Sequence, residues 1–320
     1  MSAIELHGVT KRFGDVVAVD SLDLEIPEGE VFGFLGPNGA GKSTTINMLL
    51  DFVRPDVGSI RVLNRDAREE SVAIRQRTGV LPEGFDVYER LTGRQHIEFA
   101  IQSKEVDQDP DAILDRVGIA DAADRKAGGY STGMAQRLAL GMALVGEPDL
   151  LILDEPSTGL DPNGAREMRE IVRAENDRGA TVFFSSHILG QVEAVCDRVG
   201  ILRDGEFVAQ DSVEGLRKAV GTESTLRIDV ETVPDGILEE LRVLSGVSNV
   251  EAEDTSLTVA CTDEAKTAVL TALEDAGAGV QNFETEEASL EDLFVAYTEG
   301  DAETQSTDGT DVAEETEEPA

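Results

Sequence analysis

The sequence predicts an α/β protein whose core sheet is largely parallel, followed by a smaller α+β domain of ferredoxin-like order. Up to about residue 220, β-like runs alternate with helical stretches, a rhythm typical of α/β domains. From about residue 223 to 299, the patterns instead follow the order βαββαβ. A chain of 320 residues is long enough for both domains and a tail.

The first domain is predicted over residues 1–222, with strands in "DVVAVDSLDLEI", "EVFGFLGP", "LLILDEP", "ATVFFSSH" and "RVGILRDGEFVAQ". The second is predicted over residues 223–299. Its strands are expected in "TLRIDV", "VSNVEAE", "SLTVAC" and "GVQNFETE", and its helices in "DGILEELRVL", "EAKTAVLTALEDA" and a closing amphipathic stretch, "SLEDLFVAYTEG". Residues 300–320 are strongly acidic and hold no basic residue, which predicts a disordered, solvated tail.

The net charge limits the classes of partner. The chain has 65 acidic and 27 basic residues, a net charge of −38, and only 6 of the basic residues are lysine. This excess of carboxylates is typical of proteins from halophiles, because a screening length of roughly 3 Å at 1 M salt weakens their repulsion. An ordinary acidic protein is the alternative. In either case nucleic acid is not an expected partner, because its binding depends on basic side chains.

The cysteine content and the apolar runs indicate a cytoplasmic protein. Cys196 and Cys261 fall in different predicted domains, which suits neither a disulfide framework nor a metal site. The first residues, "MSAIELHGVTKRFG", lack the apolar core of a signal peptide. No run approaches the roughly 20 apolar residues that span a bilayer. If the protein acts at a membrane, we expect another chain to supply the membrane-spanning part.

A phosphate-binding loop follows the second predicted strand. In "FGFLGPNGAGKSTTINMLL", Gly36, Gly41, Lys42 and Ser43 match the P-loop spacing G-x-x-x-x-G-K-[ST] between a strand and a helix. The glycines allow backbone N–H groups to surround a polyphosphate, Lys42 is expected to bridge its β- and γ-phosphates, and Ser43 to bind Mg²⁺. The helix start adds partial positive charge. The expected contacts are Gly36, Pro37, Asn38, Gly39, Ala40, Gly41, Lys42, Ser43 and Thr44.

Two adjacent carboxylates end a later buried run. In "LLILDEPSTGLDP", Asp154 and Glu155 follow a run whose length suits a central parallel strand. Ligands of open α/β sheets bind at this end of the strands. Asp154 is therefore expected to contact Mg²⁺, directly or through water, and Glu155 to polarise an attacking water. The next run, "TVFFSSH", places His187 at a strand end, as a candidate sensor of the γ-phosphate.

A second glycine-containing turn, "YSTGMAQRLAL", has a serine and a helix start but no lysine to neutralise a phosphate. With these parts in order, residues 1 to about 220 resemble the ATP-binding subunit of an ABC transporter. "YSTGM" stands where that family has a signature near "LSGGQ". The resemblance implies that the P-loop holds ATP, and that the signature faces the γ-phosphate of ATP bound by a second copy. The signature residues are Ser131, Thr132, Gly133 and Met134.

The resemblance also implies roles for further single residues that match the family's motifs. Phe13 matches the aromatic residue that stacks on adenine, with a core phenylalanine as the alternative. Asp161 matches a loop that communicates across the dimer, and His187 matches the switch histidine. Glu83 stands where many relatives have a glutamine that contacts Mg²⁺ and the attacking water; a glutamate still binds Mg²⁺ but repels the γ-phosphate. Thr132 and Met134 also depart from the usual glycine and glutamine, so some hydrogen bonds across the dimer must differ.

The resemblance also implies partners. Residues from about 85 to 140 are expected to form a helical subdomain that touches a polytopic membrane permease, with "ERLTGRQHIEFA" nearest to it. An ordinary solvated helix is the alternative for that stretch. The C-terminal domain and the "LPE" loop resemble subunits that pair with exporters of drugs, ions or lipids. The expected protein is thus an ATPase of the P-loop NTPase fold, a homodimer on the cytoplasmic face of the cell membrane.

Two other functions are alternatives: a soluble ABC ATPase acting on chromosomes or ribosomes, and a regulatory module without turnover. A soluble ABC ATPase acting on chromosomes is disfavoured because the interval from Lys42 to Asp154 shows no sustained heptads for a long coiled coil. An ATPase acting on ribosomes is disfavoured because such relatives usually carry two ATPase domains, whereas this chain has one set of motifs. A regulatory module without turnover is disfavoured by the presence of Glu155.

Overall fold

The computed structural model describes residues 1–219, 224–234 and 236–286. These residues fall into two units, the first of which ends at Ala219. The predicted closing helix, residues 289–300, and the predicted tail, residues 300–320, lie outside the described residues. Within the described part of the chain, no helix combines the length and the apolar character needed to cross a membrane.

The first unit contains ten strands and eight α-helices in its described residues. The strands are β1 (Ser2–Phe13), β2 (Val16–Pro27), β3 (Val31–Leu35), β4 (Val57–Val62), β5 (Arg65–Asp66), β6 (Thr78–Leu81), β7 (Leu150–Asp154), β8 (Thr181–Ser186), β9 (Arg198–Arg203) and β10 (Glu206–Ser212). The helices are α1 (Lys42–Leu49), α2 (Ser71–Arg77), α3 (Gly93–Lys104), α4 (Pro110–Arg116), α5 (Thr132–Leu144), α6 (Pro162–Asp177), α7 (Leu189–Glu193) and α8 (Val213–Ala219).

The predicted α/β fold with a largely parallel core sheet is confirmed. The strand order is β10-β9-β3-β8-β7-β6, with only β10 antiparallel to its neighbour. Every residue of β3, β7 and β8 is buried, as expected for parallel strands that are covered on both faces. Because neighbouring parallel strands end at the same edge, the segments after β3, β7 and β8 meet there.

A second sheet, which the sequence analysis did not predict, packs in the same unit. Its order is β2-β1-β4-β5, and all its pairs are antiparallel. The run "DVVAVDSLDLEI" therefore belongs to this sheet and not to the parallel one. One apolar cluster joins residues of both sheets with α1, including Leu6, Phe34 and Met48. This packing fixes α1, the helix that follows the predicted phosphate loop.

Three helices, α3 to α5, occupy the interval between β6 and β7 where a helical subdomain is expected. Local signals explain where they begin. Thr92 and Gln95 form a capping box at the start of α3, and Asp109 caps α4 ahead of Pro110. Ser131 caps α5.

The second unit has the predicted βαββαβ order. Its elements are β11 (Ser224–Val230), α9 (Ile237–Arg242), β12 (Val247–Glu253), β13 (Ser256–Cys261), α10 (Lys266–Asp275) and β14 (Val280–Glu286). The sheet order β12-β13-β11-β14, antiparallel throughout, is the ferredoxin-like arrangement. Alternate residues of β11 and β13 are buried, among them Ile228 and Val259, and pack with both helices.

Candidate functional site

The glycine-rich turn between β3 and α1 packs too tightly for other residues at two positions. A Cβ atom at Gly36 would lie 2.5 Å from the carbonyl oxygen of Leu202, and one at Gly41 would lie 2.4 Å from that of Ala18. Gly41 also has a φ of +108°, which favours glycine. The turn is therefore held against β9 and β2 in one shape.

Lys42 is the cation of this turn. It is only 6% exposed, and its Nζ donates hydrogen bonds to the carbonyl oxygens of Gly36 at 2.6 Å and Pro37 at 3.3 Å. The same Nζ lies 3.8 Å from Glu155 Oε1. An ammonium group has three donors, so the loop positions a buried positive charge that retains capacity for an anionic ligand.

Asp154 ends β7 and is buried against the neighbouring strand. It is 6% exposed and accepts a hydrogen bond from the Ser185 hydroxyl. Burial raises the pKa of Asp154, and the charges of Glu83 and Glu155 raise it further, while the bond from Ser185 and the charge of Lys42 act in the opposite direction. The protein thus holds carboxylates close together where a cation would relieve their repulsion.

Glu155 adopts a strained conformation beside Lys42. Its φ is +50°, a region that costs a non-glycine residue of order 1 kcal/mol, and its N–H donates to the carbonyl oxygen of Ser185 at 3.1 Å. One carboxylate oxygen, Oε2, lies 2.9 Å from Nδ1 of His187. The other, Oε1, is buried without a hydrogen-bond partner. Such an oxygen is an acceptor for a water or ligand that enters the site.

A cleft of about 270 Å³ joins most of these groups. Glu83, from the exposed loop after β6, lines this cleft. Ser43, in the first turn of α1, lines it as well. Asp154 is not among the lining residues but borders the site through Glu155. The lining residues are Ala18, Pro37, Asn38, Gly39, Gly41, Lys42, Ser43, Thr44, Glu83 and Glu155.

The oxygen ligands at this edge suit Mg²⁺ shared with phosphates. Among the described residues, no three His, Cys, Asp or Glu side chains group as a self-sufficient metal site. Mg²⁺ is commonly held by one or two carboxylates together with substrate phosphates and waters. The buried carboxylate of Asp154, the hydroxyl of Ser43 and the acceptor on Glu155 fit that pattern.

Two predicted residues flank the site at different places. Phe13 ends β1, is 50% exposed and lies under Nζ of Lys11, 5.2 Å from the ring centroid. That exposure contradicts the alternative of a core phenylalanine, although Phe13 does not line the cleft. His187 follows β8, and its side chain is 47% exposed while it contacts Glu155.

The signature turn lies outside this cleft. The Ser131 hydroxyl accepts the N–H of Met134 at 3.3 Å and so caps its own helix, and Met134 Sδ contacts Arg125. Thr132 lies beside Gly159, and Gly133 beside Leu160. The next residue, Asp161, caps α6 by accepting the N–H of Gly164 at 2.8 Å. The chain therefore brings the signature and Asp161 together, but not to its own P-loop.

Ser185, which contacts both Asp154 and the backbone of Glu155, is a site residue that was not predicted from the sequence. A signal was present: "SSH" puts two serines at the end of an apolar strand, and both are completely buried. Ala18 was missed because it lies on the antiparallel sheet, which was not predicted.

Two family models match the chain. The ABC transporter model matches residues 19–158, which include the P-loop and the acidic pair. A second model, described as the C-terminal domain of DrrA1-3-like ATP-binding proteins, matches residues 212–298.

Two curated proteins are similar to this chain over most of its length. The daunorubicin resistance ATP-binding protein DrrA3 of Streptomyces coeruleorubidus is 35% identical over 310 residues, covering 94% of this chain and 97% of that protein. The Nod factor export ATP-binding protein I of Bradyrhizobium diazoefficiens is 35% identical, covering 76% and 79%.

A solved structure has the same fold. It is the dimeric, post-hydrolysis structure of the ATP-binding cassette MJ0796 bound to ADP and Pi, which matches with a TM-score of 0.60 and 24% identity over 66% of this chain and 98% of that one. The strand–loop–helix with Lys42, the acidic strand end and both family matches lead to one conclusion. This chain is an ATP-binding subunit of an ABC transporter and belongs to the DrrA-like family.

Proposed function

We propose that two copies of this chain enclose two ATP molecules and drive an export permease from the cytoplasmic face of the membrane. ATP hydrolysis coupled to transport is the activity of the family. The observation that carries the finer assignment is the buried Oε1 of Glu155, which has no hydrogen-bond partner and lies 3.8 Å from Lys42 Nζ. This geometry supports the proposal, because an acceptor for the attacking water would then lie beside the cation expected to hold the γ-phosphate.

Each residue of the cleft has a proposed role in binding. The backbone from Gly36 to Thr44 surrounds the phosphates, and Lys42 exchanges its bonds to loop carbonyls for phosphate oxygens. Ser43, Asp154 and Glu83 hold Mg²⁺, which when bound neutralises charge on the β- and γ-phosphates. Phe13 stacks on adenine, a role that its 50% exposure supports.

Glu155 acts as general base in this proposal. Its unpartnered oxygen accepts a proton from the attacking water, and its other oxygen remains bonded to His187. His187 thereby orients the carboxylate and lies where the γ-phosphate is released. The left-handed backbone at Glu155 turns its side chain out of the strand and toward Lys42.

The signature completes the site of the second copy. Ser131 and Met134 lie at the start of α5, where Ser131 is exposed, and neither residue lines the cleft of its own chain. A helix start attracts anions without a lysine. In the head-to-tail dimer, Ser131, Thr132, Gly133 and Met134 face the partner's ATP, and Asp161 communicates between the two sites. The dimeric state of MJ0796 with ADP and Pi agrees with such an arrangement.

A groove beside the helical subdomain is the proposed contact with the permease. It has a volume of about 310 Å³ and lies between β6 and the helices α3 and α5. Phe52 and Phe99 both line this groove and are 65% and 55% exposed. Exposed aromatic residues along a groove are typical of sites that receive an apolar helix face. Phe99 belongs to the stretch 89–100, which was expected to lie nearest to the permease.

Export is the proposed direction, because the Nod factor relative is named for export and the daunorubicin relative for resistance. We also propose that the protein works in concentrated salt, since its net charge is −38. Maximal ATPase activity at molar potassium chloride supports this proposal. A maximum at 0.1 M or below contradicts it.

Affinity capture tests the proposed function. Tagged Glu155→Gln is captured from detergent-solubilised membranes of the native host in high salt with Mg-ATP. We expect a stoichiometric polytopic membrane protein, and we expect the additional change Phe99→Asp to abolish the capture without loss of ATP binding. Capture of ribosomes or chromosomal proteins instead would support the soluble ATPase and contradict the transporter assignment.

A further inference from the structure

A short turn, residues 88–92, connects the loop of Glu83 to the start of α3. On its buried side, this turn contacts His96 of α3, which is only 1% exposed. The His96 ring lies against Tyr88, with 5.9 Å between ring centroids and 28° between planes. Nothing in the proposed hydrolysis uses this histidine, so its burial requires another explanation.

Both nitrogens of His96 bind the backbone of the turn. The N–H of Tyr88 lies 2.9 Å from Nε2, and the carbonyl oxygen of Thr92 lies 2.7 Å from Nδ1. A backbone N–H can only donate and a carbonyl can only accept. The ring must therefore be neutral, with its proton on Nδ1, and it holds the two ends of the turn at a set separation.

The outer edge of the same turn is bonded to the segment that leads into the signature. The N–H of Ala127 donates to Leu91 at 2.8 Å, and that of Gly128 donates to Glu89 at 3.1 Å. Thr92 and Lys126 form an isolated antiparallel bridge. The approach is close: a Cβ atom at Gly128 would lie 2.9 Å from Cβ of Glu89. Ser131 follows three residues after Gly128.

We propose that His96 is a positioning residue that couples the Glu83 loop to Ser131. The route runs from Glu83 in the cleft through the turn 88–92 to residues 126–128 and then to the signature. This inference rests on the proposed function, in which Glu83 contacts the chain's own ATP and Ser131 faces the partner's ATP. His96 thereby connects the two ATP sites of a dimer through one chain.

Two substitutions separate hydrogen bonding from packing. His96→Phe keeps an aromatic ring but leaves the buried N–H of Tyr88 without an acceptor. His96→Gln supplies one amide donor and one carbonyl acceptor, so it can serve both partners. Ile97→Val, at the adjacent and fully buried position of α3, is the matched control because it loses packing without touching the turn.

The test uses the full chain in the Glu155→Gln background and measures the ATP concentration for half-maximal dimerisation by sedimentation. His96→Phe is expected to raise this ATP concentration about tenfold, which is within the usual range of coupling between sites. His96→Gln and Ile97→Val are expected to stay near the parent value. An unchanged value for His96→Phe, or an equal rise for Ile97→Val, would overturn the proposal.

A double-mutant cycle distinguishes coupling from general destabilisation. In a Ser131→Ala background, the effect of His96→Phe on dimerisation should largely disappear; simple additivity would contradict the coupling. Because the chain has only three histidines, ¹⁵N NMR can also assign the tautomer of His96. We expect protonated Nδ1, and protonated Nε2 would overturn the geometry. If the parent Glu155→Gln does not dimerise with ATP at all, that result contradicts the proposed function itself, and it is thereby distinguished from a failure of the His96 coupling alone.

Discussion

The P-loop and the signature turn each lead into a helix, yet only the P-loop is joined by a buried lysine and carboxylates of the same chain. At the P-loop, glycines are required by close backbone contacts, a lysine is buried, and carboxylates stand opposite. At the signature, Ser131 is exposed, and a Cβ at Gly133 would meet only Leu160, at 3.6 Å. The first turn is rigid and charged, whereas the second offers only a helix start.

This difference supports the proposal that the second turn needs a partner. A helix N-terminus supplies roughly half a positive charge, which is weak against the solvation of a triphosphate. Placed over ATP that another P-loop already holds, the same partial charge adds to a site whose main electrostatic requirement is met. In the proposed dimer, the signature would therefore act as a sensor of bound ATP and not as an independent binding site.

The largest expected effect is on turnover at the P-loop edge. Glu155→Gln should lower kcat by about 10²–10⁴-fold, because it removes the general base. The amide can still accept a hydrogen bond from His187, so ATP binding should survive and a dimer should accumulate. Steady-state ATPase assays and gel filtration with ATP check both outcomes; normal turnover would remove Glu155 from the base role.

The next largest effect is expected on ATP affinity, when the buried cation Lys42 is removed. Lys42→Ala should weaken ATP binding about 10- to 100-fold, the range expected for loss of a hydrogen bond to a charged group. Titration calorimetry measures it. Lys266→Ala, which removes an ammonium that pairs with Asp263 in the second unit and lies outside the cleft, is the control and should bind ATP normally. Equal affinities for all three proteins would show that the P-loop lysine is not part of the site.

Substitution of the signature serine sharpens the contrast. Ser131→Asp should retain the helix cap and hence the melting temperature, whereas Ser131→Ala should lose about 1 kcal/mol of stability. For ATP-driven dimerisation we expect the reverse order, with Ser131→Asp more impaired than Ser131→Ala, because an aspartate would repel the partner's γ-phosphate. Dimerisation that follows the melting temperature instead would mean that Ser131 only caps α5.

The smallest effect concerns stability. The raised pKa of Asp154 means that folding disfavours its charged form, so stability is retained in acid and lost as pH rises through that pKa. Without nucleotide or metal at pH 7, Asp154→Asn should raise the melting temperature, by about 2–4 °C for each 1 kcal/mol relieved, and the gain should shrink in acid. Asp149→Asn, on a half-exposed ion pair, is the control. A lower melting temperature for Asp154→Asn would contradict the repulsion.

The parts of the molecule that could be predicted are those whose characteristic residues lie close together along the sequence. The P-loop and the acidic strand end each combine a buried run with a polar turn, and the second domain shows regular alternation. The antiparallel sheet was missed because β1 pairs with β4 across a long interval, with shifts in register. Ser185 and His96 were missed for a related reason. Their partners, Asp154 and the turn at Tyr88, are set by tertiary packing and not by spacing.

Mixing two inactive variants tests the central claim most directly. Lys42→Ala and Ser131→Asp should each be inactive alone. In a head-to-tail heterodimer, one site combines both defects, while the other pairs an intact P-loop with an intact signature. Mixing should therefore restore ATP hydrolysis in proportion to the heterodimer formed. If the mixture stays inactive while a crosslinking control shows heterodimers, Ser131 does not face the ATP of the partner, and the account is contradicted.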